Sequence, residues 1–426
     1  MNEIFKNTGL IELFKKLYVT DENVEKQKER YNNLIEAFKL EFKNEDFFIF
    51  STPGRTEIGG NHTDHNHGRV IAGSIDLDSI AVVNKTDNNI VTIKSEGFEK
   101  KFIVDLQELD VNPDEEGSTN ALIRGIAAKY KEEDHKIGGF DAYIASDVFS
   151  GSGLSSSASI EVLIGTIFNG LYNNNSIDPV EIAKIGQYAE NVYFMKPCGL
   201  MDQVACAVGG IVTIDFKSTE DPIVNKVDFD FASKDYSVVV VNTGGSHADL
   251  TGDYASIPIE MKSVAKYFEK EVCRGIEYED LLNEMKALRG KTGDRAILRV
   301  MHFLNDNARV IKQVEALNKN DFKLFLKYVT DSGNSSWKWL QNCFTNKKPD
   351  EQGVTLALAV TENFIDKLGE GACRVHGGGF AGTIQCFLPN RAVKEYSEIM
   401  SNVFDKNAVT VLSIRPVGTT QIWPVV

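Results

Sequence analysis

The chain has 426 residues, beyond the roughly 250–300 at which a single hydrophobic core stops growing, so two domains are expected. Its 42% apolar and 25% charged composition excludes a disordered or collagen-like chain. A formal charge of −15, with no run of lysine and arginine free of acids, speaks against nucleic acid as a partner, and no apolar stretch approaches the roughly 20 residues of a membrane span.

The N-terminal MNEIFKNTGLIELFKKLYV mixes charge among its apolar positions, the pattern of an amphipathic helix and not of a signal peptide, so the cytoplasm is the expected compartment. Six scattered cysteines without a CxxC pair point to reduced thiols. Cys198, Cys206, Cys373 and Cys386 sit in apolar or glycine-rich settings and read as packing residues, with Cys198 near a candidate site.

Residues 21–43 read as helix, with Leu34, Ala37, Phe38 and Leu40 at helical spacing. FFIFSTPGRTEIGG (47–60) predicts a short strand running into a Pro-Gly turn, and SIDLDSIAVVNKTDNNIVTIKS (74–95) two alternating strands about a TDNN turn. Residues 118–130 return to a helical period, and GGFDAYIASDVF to strand. A serine-rich loop then leads into ASIEVLIGTIFNGLY, a strongly apolar helix. A helix at about 178–194 ends at KPCGLMDQVACAVGGIVTIDF, whose tail is strand-like. The polar, proline-bearing stretch at 217–232 suggests a boundary between domains 1–225 and 226–426. Beyond it come a strand (SVVVVNTGG), helices through 258–345, a helix at 354–370, ACRVHGGGFAGTIQCFLP, a helix at 391–403 and a strand at 408–414. Strands and helices mix without strict alternation, which favours an α+β fold; no internal repeat is evident.

Four segments carry chemistry. GSGLSSSAS (151–159) joins a strand to a helix N-terminus, where unpaired N–H groups and the helix dipole attract anions. It reads as a nucleotide-phosphate cradle or, more blandly, as a linker, and it lacks the lysine of a Walker A loop. PGRTEIGGNHTDHNHG (53–68) is the densest polar cluster: a sugar or polyol site, a metal site on His62, His65 and His67, or a solvated loop. CGLMDQ (198–203) sets Asp202 among apolar neighbours, as a cap or, beside an arginine, as a base. HGGGFAG (376–382) is a tight turn or a close approach of backbone to ligand.

In this order the four resemble the GHMP kinase superfamily, and within it the galactokinase family. PGRTEIGGNHTDHNHG is similar to the signature PGRVNLIGEHTDYNGG, SDVFSGSGLSSSASIEV to DVPxGxGLSSSAALEV, AENVYFMKPCGLMDQ to AENxYVGVxCGIMDQ, and VHGGGFAGTIQCFL to a motif containing MTGGGFGGC. SHADLTGDYASI and LRVMHFLNDNARV are weaker echoes, so the resemblance spans about residues 45–390.

The resemblance implies a two-domain α+β fold, with an N-terminal ribosomal-S5-domain-2-like domain, a C-terminal GHMP domain and the active site between them. It implies a monomer or homodimer that uses ATP and Mg2+ to phosphorylate the anomeric hydroxyl of galactose. Carried over by position, Gly151, Gly153, Leu154, Ser155, Ser156 and Ser157 would cradle ATP phosphates, Ser156 and Glu190 would hold Mg2+, and Asp202 would act as base with Arg55 assisting. Asn61, His62, Asp64, Gly199 and Tyr254 would contact the sugar, and His247 aligns with a family histidine. The departures gather where the sugar should lie: Asn61 for glutamate, Glu57 for asparagine, Gly59 for isoleucine, His65 for tyrosine, with Phe149 for proline before the loop and SIPIEM after Tyr254. They leave open a kinase for a related sugar, such as an amino sugar, another aldose or a uronic acid, and a sensor that binds ATP and galactose without turnover.

Overall fold

The computed structural model describes residues 3–148, 153–245 and 250–425. Its strands in chain order are β1 (Phe48–Gly59), β2 (Arg69–Lys85), β3 (Ile90–Ser95), β4 (Phe102–Asp105), β5 (Phe140–Ser146), β6 (Ile211–Asp215), β7 (Ile223–Val227), β8 (Tyr236–Asn242), β9 (Ala372–Val375), β10 (Thr383–Pro389), β11 (Val409–Leu412) and β12 (Thr420–Trp423). The mixture is α+β. Two compact units interleave along the chain: one takes Met1–Arg55, Ser74–Gly210 and Arg415–Val426, the other Thr56–Gly73 and Ile211–Ile414. Where the sequence suggests one boundary near 225, the chain passes between units four times, because β1 and β2 are long enough to contribute residues to both.

In the first unit the sheet runs β12-β1-β2-β5-β3-β4. The helices Thr8–Tyr18 and Asp21–Phe42 lay Phe14, Tyr31, Ile35 and Phe38 against Ile49, Ile80, Val82, Ala145 and Ile422 on one face. Helix Ser156–Tyr172 approaches Phe50 so closely that a side chain at Gly170 would stand 2.5 Å from its ring. Covered in this way, β1 and β2 are buried at nearly every residue, and the alternation read for β2 is absent; β3, near the sheet edge, alternates.

Three local expectations change. β1 runs straight through Pro53-Gly54 with no turn there. Its neighbour β12 pairs only with Ile49, Phe50 and Ser51, so the missing N–H of Pro53 falls beyond that ladder. The TDNN turn links β2 to β3, but they are not a hairpin: β5 lies between, antiparallel to β2 and parallel to β3. Turn residues fix where the chain reverses and not which strand it then joins. The helix expected at 178–194 is regular over Pro179–Tyr188, then widens into a π turn at Ala189–Tyr193, closed by Phe194 N–H to Ala189 O at 2.9 Å.

In the second unit β6 pairs antiparallel with Arg69–Gly73 of β2 and with β7, and a separate antiparallel sheet runs β11-β8-β10-β9. One core lies between that sheet and the helices Gly353–Leu368 and Asn390–Val403, and includes Cys343, Cys373 and Cys386. A second is built from Thr251–Tyr267, Tyr278–Lys291 and Asp294–Asn318. All six cysteines are free. No helix among the described residues is long and apolar enough to cross a membrane.

Candidate active site

In the first unit the chemistry gathers on Arg55, the last residue of β1 assigned to that unit. Its N–H donates to Leu154 O at 3.1 Å and its Nη1 to Gly153 O, which fastens the end of the serine-rich loop to the strand. A side chain at Gly54 would meet Leu154 O and Val148 Cγ1 at 3.0 Å, so the strand is bare where the loop crosses it. The same guanidinium grips Asp202 through two parallel bonds, Nε to Oδ1 and Nη2 to Oδ2, both 2.7 Å. Asp202 is the second residue of helix Met201–Val208, where the dipole favours a carboxylate.

Burial alone would raise the carboxyl pKa of Asp202. The Arg55 charge, its hydrogen bonds and the Ser155 hydroxyl outweigh that and hold it below the ordinary carboxylate range, so Asp202 is ionised at neutral pH. Its side chain is still 31% exposed.

Ser155 has a left-handed backbone (φ 60°) and turns its hydroxyl onto Asp202 Oδ2. Helix Ser156–Tyr172 therefore starts without a side-chain cap, leaving its first N–H groups open to an anion. Ser156 and Ser157 are half-buried in that first turn, and Ser157 Oγ donates to Glu190 Oε1 at 3.4 Å. The π turn presents Glu190. Its Oε2 accepts from Gln203 Nε2 at 3.0 Å, and the same nitrogen donates to Glu161 Oε2 at 2.9 Å. Burial, then the Glu190 charge, pushes Glu161 up to about 8, so it keeps its proton at neutral pH.

Of the other positions expected here, Leu154 is fully buried and serves packing, while Gly153 is exposed with φ 73°. Gly199 is half-buried just before Met201–Val208, and Cys198 beside it donates its N–H to Asn191 Oδ1 at 2.7 Å. Phe149, Gly151 and His247 lie outside the described residues.

The second unit holds the signature after Arg55 together with the glycine turn. Three successive carbonyls of that turn are taken by the residues expected at the sugar. Asn61 Nδ2 donates to Gly377 O at 2.7 Å, His62 Nε2–H to Gly378 O at 2.9 Å, and Tyr254 OH to Gly379 O at 2.8 Å. Gly378 must be glycine, because a Cβ there would stand 2.5 Å from the Tyr254 ring. Burial pushes His62 down to about 4, so its ring is neutral. Burial, then Asp253, pushes Tyr254 up to about 12. Asp64 opens a short 3-10 turn with its carboxylate part exposed, and His65 is 4.0 Å away.

Asn61 itself is wholly buried and fully engaged. Nδ2 also reaches Glu57 Oε1 at 3.1 Å, Oδ1 accepts from Asn342 Nδ2 at 2.9 Å, and the backbone is held by His302 and Asp306. Glu57 in turn pairs with the buried Arg374 at 2.7 Å. The two departures at 57 and 61 are thus one exchange: amide and carboxylate have traded places and hydrogen-bond each other. Sequence reading missed the Glu57–Arg374 pair and the Gln203 bridge. Two charged residues in apolar strands, EIG and CRV, were the available signal for the first. Among the described residues no three His, Cys, Asp or Glu side chains gather as a metal cage, and the histidines at 62, 65 and 67 do not converge on one.

Family profiles match here. The GHMP kinases N terminal domain matches residues 121–210 and the galactokinase galactose-binding signature residues 36–85. A galactokinase of Actinobacillus pleuropneumoniae is 30% identical over 361 residues, 83% of this chain and 88% of that one; a galactokinase of Clostridium tetani is 27% identical over 84% of this chain and 88% of its own. The fold matches the Lactococcus lactis galactokinase complexed with galactose (TM-score 0.76, 23% identity, 92% of this chain and 99% of that one). It also matches the Methanococcus jannaschii mevalonate kinase (TM-score 0.61, 19% identity, 87% and 99%). Similarity at that level, across most of both chains and in both motif regions, shows that the chain belongs to the galactokinase family of GHMP kinases.

Proposed function

We propose that the protein transfers the terminal phosphoryl group of ATP to the anomeric hydroxyl of galactose, giving galactose 1-phosphate and ADP. The observation that carries this reading is the ionised Asp202, held bidentately by Arg55 and still partly exposed. Such a carboxylate accepts the proton of the anomeric hydroxyl as its oxygen attacks phosphorus, and the adjacent guanidinium steadies the charge passing between them. Ser155 keeps the carboxylate turned toward its task. The uncapped start of helix Ser156–Tyr172 offers backbone N–H groups to the phosphates.

Kinases of this kind generally use Mg2+, which neutralises phosphate oxygens. Glu190 would supply carboxylate oxygen and Ser156 hydroxyl oxygen to such an ion, hard donors that suit Mg2+, while the Cys198 thiol beside Glu190 stays protonated because burial and the Glu190 charge raise its pKa. One carboxylate beside substrate phosphates is the usual Mg2+ arrangement, so the lack of a three-ligand cage among the described residues is in keeping with it. On the sugar side we assign His62, Asp64, Gly199 and Tyr254 to substrate, with Asn61 holding Glu57 and the glycine turn in place. His62, whose Nε2–H is taken by Gly378 O, offers Nδ1 as one acceptor and the Asp64 carboxylate offers another for adjacent hydroxyls.

The Glu57/Asn61 exchange favours a second reading, a kinase for a sugar related to galactose. The test is phosphate transfer from Mg-ATP to galactose, glucose, galactosamine, N-acetylgalactosamine, arabinose and galacturonate. Preference for galactose is expected. If galactose turns over no better than the others, the related-sugar reading replaces the first. Asp202→Asn should lower turnover by about a thousandfold while ATP binding persists. Unchanged turnover would remove Asp202 as the base, and ligand binding without any sugar phosphate would make the protein a sensor.

A further inference from the structure

The serine-rich loop has no lysine, yet a lysine stands at the same carboxylate as its helix. Lys196 Nζ donates to Glu190 Oε1 at 2.8 Å, the oxygen that Ser157 Oγ also reaches. The position is built by the backbone: after the π turn, Met195 takes a left-handed conformation (φ 65°) and Lys196 N–H closes onto Glu190 O at 3.1 Å. The two partners are unequal, since the Glu190 side chain is 3% exposed and that of Lys196 59% exposed. The buried carboxylate is fixed, and the lysine is a long side chain free to swing its head from a solvent-open stem. Its charge is felt at Asp202, where it adds to the lowering caused by Arg55.

We propose that Lys196 is a phosphate-binding residue of this kinase, whose ammonium rests on Glu190 and moves onto the terminal phosphate oxygens of the bound nucleotide. The inference rests on the kinase reading above. It identifies a cation supplied by the chain itself, in addition to the helix N-terminus. Lysine suits this as a compact point charge on a flexible stem, whereas Arg55 is fixed to Asp202 by both its forks.

The test is calorimetric titration of ATP, ADP and AMP, with Mg2+ and without sugar, into the wild type, Lys196→Met and Lys196→Arg. Lys196→Met should weaken ATP by about tenfold, as loss of one charge-assisted hydrogen bond does, and leave AMP unchanged; Lys196→Arg should stay near wild type. An unchanged or tighter ATP affinity in Lys196→Met would mean that the lysine only neutralises Glu190 and would overturn the inference, as would an equal loss for AMP. Because no sugar is present, absence of sugar phosphate from a separate turnover assay of the wild type counts against the galactose reading alone.

Discussion

Glu161 shows how a single residue near the site makes stability depend on pH. Burial and Glu190 raise its folded pKa from 4.5 to about 8, whereas in the unfolded chain it ionises near its ordinary value. Between those values the folded state holds a proton that the unfolded state has lost, so stability falls as pH rises through the window and levels off once the folded carboxyl ionises too. Glu161→Gln removes the titration while keeping an acceptor for Gln203. The melting temperature of the wild type should therefore drop more between about pH 6 and pH 9 than that of the variant. Parallel curves, measured by calorimetry, would mean that another group governs the alkaline limb. Residues of this type were poorly legible in the sequence. Arg55 and Asp202 stood in motifs that the family resemblance singled out, but Ser155 could be placed on Asp202 only once its left-handed backbone was known, and nothing local marks Glu161 as the partner of Gln203, 42 residues on.

At the scale of elements, helices were legible and strand partners were not. Helical period is written within one segment, so Asp21–Phe42, Ser156–Tyr172 and Asn390–Val403 fall close to their expected bounds. Pairing is a property of distant segments, and β5 entering between β2 and β3 left no mark in either. Distant segments also explain Glu57 and Arg374, an ion pair that joins β1 to β9 across 317 residues with both side chains nearly sealed from water. Removing one partner of a buried pair leaves the other charge desolvated, at a cost of roughly 3–5 kcal/mol. Glu57→Gln should lower stability by about that much in urea titrations, because the Arg374 atoms Nε and Nη1 have no hydrogen-bond partner among the described residues to fall back on. Replacing both with apolar residues of similar size, Glu57→Leu with Arg374→Met, should recover part of the loss. If Glu57→Gln is as stable as the wild type, the pair contributes nothing and its place in β1 needs another cause.

At the scale of the whole molecule, the first unit is closed by the last residues of the chain. Arg415, fully buried, donates to Asp78 Oδ2 at 3.0 Å and to Ser51 Oγ at 2.8 Å, while β12 pairs with β1. Places where the chain enters or leaves this unit are stitched to one another: Ser74 N–H to Gly210 O at 3.0 Å, Gly210 N–H to Arg415 O at 2.9 Å, and Arg415 N–H to Ser74 O at 3.0 Å. Non-local closure of this kind delays folding until the C-terminal segment is available. Gly209 is where the stitch is tightest, since a Cβ there would stand 2.0 Å from Gly418 N, whereas the same atom at Gly97 would meet nothing within 4 Å. Both have positive φ, 78° and 80°, and Gly209 adds ψ 163°, a combination open essentially to glycine alone. Alanine at Gly97 should therefore cost only the left-handed strain, about 1–2 kcal/mol. Alanine at Gly209 meets a backbone less tolerant of a side chain and must also push the C-terminal segment away from helix Met201–Val208, on which Asp202 sits. Its unfolding midpoint should fall well below that of the Gly97 variant, with turnover reduced as well. Equal midpoints for the two variants would mean that the segment yields without cost and that the stitch does not hold the unit together.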